Sequence, residues 1–313
     1  MTKFLRVIDC RSLVGSQNIL RETVESLIGL DRLTNLLEVV IHTGALRNSV
    51  PISVLMVARP GAAKSKQLLA FDSTSIHLTN DMTTAGLFDC MSRDRDNKIR
   101  HIVLPDMNAV LSHKGTTSEL FFGNLLALMS EGITRIDDGR YQKEIPHLPV
   151  GMITAATPGM YESNIKKWEK TGLKRRFLPL FYDYTSATRM KINEGIRNGS
   201  VTLHQVIRKK IVLPKVPALV NIGDAEGLRL ESMAQMLAGH LSWFPARERD
   251  TNKKIMCKPS PGEMALEFTP HLILRSLCCA HALRARRGKV NNDDLNFVMG
   301  VIDFCRYGSP VLL

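Results

Sequence analysis

Long hydrophobic runs are missing from this 313-residue chain. No apolar stretch approaches the roughly 18 residues of a bilayer-spanning helix, so the sequence predicts no membrane segment. Aromatic residues are scarce, at 6% with two Trp, which leaves few platforms for stacking nucleic-acid bases. The six cysteines (Cys10, Cys90, Cys257, Cys278, Cys279, Cys305) contain no C-x-x-C pair, so neither a zinc ribbon nor a dithiol redox motif is indicated. Cys278, Cys279 and His281 are close in sequence, but adjacent helical positions point in different directions and do not suggest a metal site. The cysteines read as reduced thiols. The opening MTKFLRVIDCRS carries no secretory pattern, and both features predict a cytoplasmic protein. Internal repeats and low-complexity tracts are also missing.

Positive charge is in surplus. Lys and Arg number 42 against 30 Asp and Glu, a net charge of +12, which favours a polyanionic partner, nucleic acid first. Two concentrations stand out: Lys166, Lys167, Lys170, Lys174, Arg175 and Arg176, and then Arg284, Arg286, Arg287 and Lys289. With 44% hydrophobic residues, the chain can bury a core for a main domain and a smaller second one.

The most informative stretch is Ile52 to Leu69, ISVLMVARPGAAKSKQLL. Ser53–Val57 has the character of a buried parallel strand, and Lys66–Ala70 resumes a helical pattern, so the small-residue loop sits where strand becomes helix. This is the context of a phosphate-binding loop. Backbone N–H groups would face a triphosphate, with Lys64 on its β/γ oxygens and the Ser65 hydroxyl on Mg²⁺. Ala58 and Ala63 stand where the G-x-x-x-x-G-K-[ST] pattern has its outer glycines, and Gly61 remains inside the loop.

Downstream, His101 to Leu104 is an apolar strand closing on Pro105 and Asp106, a carboxylate placed to hold Mg²⁺. Thr79–Lys98 reads as loop with a helical turn or two, and Ser118–Met129 as helix. Asp137-Asp138-Gly139 between β-type residues predicts a hairpin over 132–146. Val150–Ala155 and Leu178–Tyr184 are further buried strands. The alternation implies a parallel sheet sandwiched by helices, with a ligand at the strand C-termini. Residues 17–45 carry a helical pattern. Residues 187–225 read as a basic stretch interrupted by Gly and Pro, and the remainder as helices over 225–240, 270–287 and 292–307.

This order of motifs resembles an AAA+ ATPase, and within that superfamily the minichromosome-maintenance (MCM) replicative helicases and their MoxR and Mg-chelatase relatives. Pro60-Gly61-Ala62-Ala63-Lys64-Ser65 fits the MCM variant of the loop, Pro-Gly followed by Ala-Lys-Ser. Thr157, in Ala155-Ala156-Thr157-Pro158, falls where that family has its sensor asparagine. Arg176, in Leu173-Lys174-Arg175-Arg176-Phe177, matches the arginine finger that reaches a neighbouring subunit's γ-phosphate. The resemblance implies a P-loop NTPase α/β core over 1–190, a linker over 191–224 and a helical lid over 225–313. It implies ATP held by Pro60 through Lys66 with Asp106, Mg²⁺ on Ser65 and Asp106, and catalytic roles for Thr157 and Arg176. It further implies self-association into a ring or filament, and DNA contact from a hairpin that here bears Arg135, Arg140 and Lys143.

The chain departs from the family where chemistry is concerned. The carboxylate that polarises the attacking water should follow Asp106, and here Met107 and Asn108 follow, neither able to take a proton. The expected function is therefore an MCM-like DNA-acting ATP-binding protein with weak hydrolysis. A non-hydrolysing assembly or DNA-coating protein, and a MoxR-like protein remodeller, remain as alternatives, with a protein partner able to supply the missing groups. Because charge is plentiful and aromatics are few, DNA affinity should be chiefly electrostatic. With six or more phosphate contacts, binding measured by fluorescence anisotropy should weaken about 10³-fold between roughly 50 and 200 mM salt. A salt-insensitive complex would contradict this.

Overall fold

The computed structural model of the protein describes residues 27–47, 49–112, 116–138, 141–199, 208–249, 255–261 and 268–313. At its centre is β1 (Ser53–Val57), an apolar strand buried at every position. Its residues alternate between two cores, as a pleat requires. Val54 and Met56 belong to one cluster, and Leu55 and Val57 to the other. Buried on both faces, such a strand reads as a continuous hydrophobic run, the pattern of a parallel sheet covered by helices on each side.

On one flank β1 pairs with β7 (Gly151–Ala156), followed by β4 (His101–Leu104) and the edge strand β3 (Ile76–Leu78). On the other flank it pairs with β8 (Phe177–Asp183), followed by β12 (Val311–Leu312). All five pairings are parallel. The fold is thus α/β, a six-stranded parallel sheet flanked by helices, with a C-terminal helical region. After β1 the chain moves to the far edge, returns through β4 and β7, then crosses β1 to reach β8. This reversal puts a topological switch point at the C-terminal end of β1, where open sheets of this kind form ligand crevices.

One face of the sheet is covered by α1 (Asp31–Thr43) together with α8 (Asp224–Ser242), α9 (Phe268–Arg284) and α10 (Asn292–Ile302), which share the first core. The other face carries α3 (Thr84–Arg93), α5 (Thr116–Ser130) and α6 (Pro158–Lys170). Among the described residues no helix is long and apolar enough to cross a membrane.

Several expectations need correction. The stretch expected to be loop over 79–98 contains the ten-residue α3, capped by the Thr83 hydroxyl. Its buried residues are only Leu87 and Met91, one turn apart, too sparse for a periodic signal. The basic stretch after 186 begins with α7 (Ser186–Arg197), capped by Thr185 and containing Gly195 in its last turns, so that glycine does not break the helix. The last helix ends at Ile302 instead of 307, and the chain returns to the sheet as β12. An antiparallel hairpin, β10 (Trp243–Arg249) with β11 (Ile255–Pro261), separates α8 from α9. The pattern read over 17–26 lies outside the described residues.

Part of the second basic concentration is committed to structure. Arg287 grips the fully buried Asp294 with two hydrogen bonds of 2.6 and 2.7 Å, and His281 adds a third contact at 2.6 Å. Burial pushes the Asp294 carboxyl up, but the bonds from Arg287, His281 and the Asn291 backbone outweigh it and hold it below the usual range. Arg284 pairs with Glu38 of α1.

At the opposite end of β4 from Asp106, His101 is fully buried. A methyl on Gly151 would lie 2.8 Å from its ring, so that position must be glycine for the ring to fit, whereas a methyl on Gly44 would meet the Arg100 Cβ first, at 2.6 Å. Burial, then the adjacent Arg100 guanidinium, push the imidazole pKa down to about 3. The unfolded chain takes this proton near pH 6.5, whereas the folded one refuses it until about 3. The stabilisation is therefore complete above about pH 6.5 and is lost as pH falls toward 3, by up to about 1.4 kcal/mol per unit. Urea unfolding should show about 2 kcal/mol less stability at about pH 5 than at about pH 7.5. A flat profile over that range would contradict the buried neutral imidazole.

Candidate functional site

The crevice at the C-terminal end of β1 is built from a loop that the sheet forces to turn sharply. Between Val57 and α2 (Lys64–Leu69), the chain bends through Gly61 at φ +80° and Ala63 at φ +54°. Nothing lies within 4 Å of a Cβ placed on Gly61, so only its backbone angle demands glycine. Ala63 accepts a left-handed conformation that disfavours any side chain. The loop is braced from behind: the Tyr182 hydroxyl, on β8, donates to the Ala62 carbonyl at 2.9 Å. Below it, the Gln67 side-chain amide donates to the Thr34 hydroxyl of α1 at 2.9 Å.

Lys64 turns back over this loop. Its ammonium donates to the Ala58 carbonyl at 2.7 Å and to the Arg59 carbonyl at 2.9 Å. Burial lowers its pKa, and the Asp106 carboxylate opposes that shift. Ser65 is exposed, and its hydroxyl donates to the Pro105 carbonyl at 3.4 Å, which joins the start of α2 to the end of β4. Asp106 is exposed beside it, one carboxylate oxygen accepting the Asn108 N–H at 2.9 Å. Lys66 is half-buried on α2, its pKa lowered by burial. Pro60 and Gly61 are exposed at the rim, whereas Ala62 is buried. An exposed hydroxyl and an exposed carboxylate on one edge of the sheet are oxygen donors of the kind that suits a hard divalent cation such as Mg²⁺.

Thr157 follows β7, the strand between β1 and β4, and so stands on the same edge as the loop and Asp106. Its hydroxyl oxygen caps α6 by accepting the Met160 N–H at 3.3 Å. The hydroxyl proton is left to donate elsewhere.

The other expected residues lie apart. Arg176 precedes β8, at the N-terminal edge of the sheet, and donates to the Ser130 hydroxyl at 3.0 Å. A seven-residue strand separates it from the loop edge, about 20 Å at the usual rise. Arg135 and Lys143 fall in the antiparallel pair β5 (Ile133–Asp138) and β6 (Tyr141–His147), where Arg135 stands opposite Glu144 and Lys143 opposite Ile136. Arg140 lies outside the described residues. Met107 does not reach the crevice: it is fully buried in the second core, and its N–H is bound to the Ala155 carbonyl at 3.0 Å. A glutamate at that position would bury its carboxylate instead of presenting it to a ligand.

Sequence reasoning missed the brace from β8. Asp183 forms ion pairs with Arg59 at 3.2 Å and with Arg189 of α7 at 3.0 Å. The available signal was an apolar run, Phe177 to Phe181, closing on Tyr182 and Asp183, the same strand-to-polar transition that drew attention to Asp106.

No protein-family model matches the chain, and a comparison with curated proteins gives no match either. The strain at Ala63 yields a direct test. Ala63→Gly should relieve the left-handed cost and raise unfolding stability by about 1 kcal/mol, read as a higher urea midpoint. A lower midpoint would show that the methyl contributes more by packing than it costs in backbone strain.

Proposed function

We propose that this chain is an MCM-like AAA+ ATP-binding protein that works as an oligomer on DNA, with slow hydrolysis or none. The observation that carries the reading is the Ser65 hydroxyl reaching the Pro105 carbonyl. That bond, between residues 40 apart in sequence, brings the Ser65 hydroxyl to the residue before Asp106, next to a lysine-bearing loop at the switch point of a parallel sheet. Ser65 and Asp106 would hold Mg²⁺, which neutralises charge on the β/γ oxygens when bound. Lys64 would exchange the Ala58 and Arg59 carbonyls for phosphate oxygens. Thr157 can direct its hydroxyl proton toward the same edge.

The position of Arg176 favours assembly. At the far edge of its own sheet it is too distant to serve its own loop, and a neighbouring subunit's nucleotide is the site within its reach. Around it Lys166, Lys170 and Arg175 are exposed, a basic surface suited to a polyanion. The hairpin residues Arg135, Arg140 and Lys143 are proposed as further DNA contacts.

The non-hydrolysing alternative gains from the burial of Met107. Asn108 is exposed but accepts no proton. Glu131 follows α5, where the Leu128 carbonyl is bonded to Val150 at the start of β7, so it belongs to the far edge. A general base contributes about 10² to 10⁴ in rate, and turnover without one should fall well below the typical roughly 10 s⁻¹.

The test is ATP binding and turnover, with and without single-stranded DNA, alongside gel filtration. Lys64→Ala should lose ATP affinity by about 100-fold or more while staying folded, its melting temperature falling by only a few degrees for the two carbonyl bonds it gives up. Arg176→Ala should keep binding in the isolated subunit but lose ATP-dependent assembly. Unaltered ATP affinity in Lys64→Ala would remove the phosphate-site reading, and unaltered assembly in Arg176→Ala would remove the interface role.

A further inference from the structure

Arg59 is the residue of the loop whose side chain the proposed chemistry leaves unused. Its backbone belongs to the cradle, since its carbonyl accepts both the Lys64 ammonium at 2.9 Å and the Ala62 N–H at 3.2 Å. Its side chain is 70% exposed and is drawn aside to Asp183 through Nε. Asp183 does not depend on it. The same carboxylate accepts Arg189 at 3.0 Å and the Tyr184 N–H at 2.8 Å, and its side chain is only 13% exposed. One carboxylate thus holds two guanidinium groups, one on the exposed loop and one on the scaffold helix α7.

We propose that Arg59 is a second phosphate-binding cation of this site and that Asp183 is the latch holding it aside until a polyphosphate arrives. The proposal rests on the phosphate-site reading above. The exchange is favourable for three reasons. An ion pair this exposed is worth at most about a fivefold preference, whereas a guanidinium bond to a phosphate oxygen is charge-assisted and worth about tenfold or more. When Arg59 leaves, Asp183 keeps Arg189 and the Tyr184 N–H, so no buried carboxylate is stranded. Finally, the Arg59 carbonyl accepts the Lys64 ammonium and the Ala62 N–H, so its side chain springs from the cradle itself and has only a short swing to make. Arg59 would add a second cation to the one that Lys64 brings.

The geometry also makes the latch a reporter. Asp183 terminates β8, its carbonyl accepts the Leu313 N–H beyond β12 at 2.9 Å, and Arg189 lies on α7. Freeing one guanidinium alters the load on a residue shared by the loop, the sheet edge and a helix.

The experiment measures ATP affinity by calorimetry for the wild type, Arg59→Ala, Asp183→Asn and the double variant, with adenosine as a probe that lacks phosphate. Arg59→Ala should weaken ATP binding about tenfold and leave any adenosine binding unchanged. Asp183→Asn should tighten ATP binding, by up to about fivefold, only while Arg59 is present. In the Arg59→Ala background it should do nothing. ATP affinity unchanged or tighter in Arg59→Ala overturns the proposal, as does an equal effect of Asp183→Asn in both backgrounds. Arg59 is exposed and its removal leaves the core intact, so that variant decides the matter even if Asp183→Asn fails to fold. If folded wild type binds no ATP, the phosphate-site reading and this proposal both fall. If ATP binding is lost in Lys64→Ala yet unaffected in Arg59→Ala, only the role of Arg59 falls.

Discussion

Strand β1 has no side that faces water, and the rest of the molecule follows from that. Val54 and Met56 are buried under one helical layer, Leu55 and Val57 under the other, so neither face can turn outward without exposing apolar surface on the order of several kcal/mol. The strand can leave the core only at its ends. At the C-terminal end the chain must turn within a few residues into α2, and it does so with two left-handed residues, Gly61 and Ala63. The crevice exists because the helix that leaves β1 and the helix that leaves its neighbour β7 cover opposite faces of the sheet.

A loop that carries backbone strain holds its shape only when its surroundings over-determine it. Here the braces come from three directions. Tyr182 holds the Ala62 carbonyl from β8, Asp183 holds the Arg59 side chain, and Lys64 ties the start of α2 back to the Ala58 and Arg59 carbonyls. The last two are exchangeable, because a carbonyl or a carboxylate partner can yield to a more highly charged anion. The first is buried and stays. On the proposed reading, rigid and exchangeable contacts in one turn are what allow a cradle to be preformed and still respond to its ligand.

The sheet also separates two sets of polar residues. Its C-terminal edge gathers Lys64, Ser65, Asp106, Thr157 and Asp183, whereas its N-terminal edge carries Arg176 and the buried His101. One subunit cannot fold the first set onto Arg176, because strands about 20 Å long lie between them. On the proposed reading, assembly joins the two edges, and the exposed basic residues at the end of α6 lie on the side where such a contact would form.

What the sequence determined by itself was local. A run of β-branched and apolar residues meeting Pro-Gly-Ala-Ala-Lys-Ser shows a strand, a tight loop and a helix start within 15 or so positions, and His101 to Asp106 reads the same way. The parallel sheet and helical layers were legible because strands and helices alternate. Tertiary structure alone decided the rest. Whether Met107 faces the crevice or the core depends on the twist and neighbours of β4, and the hydrogen bond from its N–H to Ala155 turns it inward. Tyr182 and Asp183 meet the loop only because β8 is the strand that pairs with the other side of β1, and Arg189 reaches Asp183 only because α7 follows directly. Helix α3 has two buried anchors and α7 relies on a threonine cap, so neither shows in periodicity. Strand order and side-chain direction at strand ends arise from packing between segments far apart in the chain, Tyr182 against Ala62 and Val311 against Tyr182 among them, and no short window of sequence contains that information.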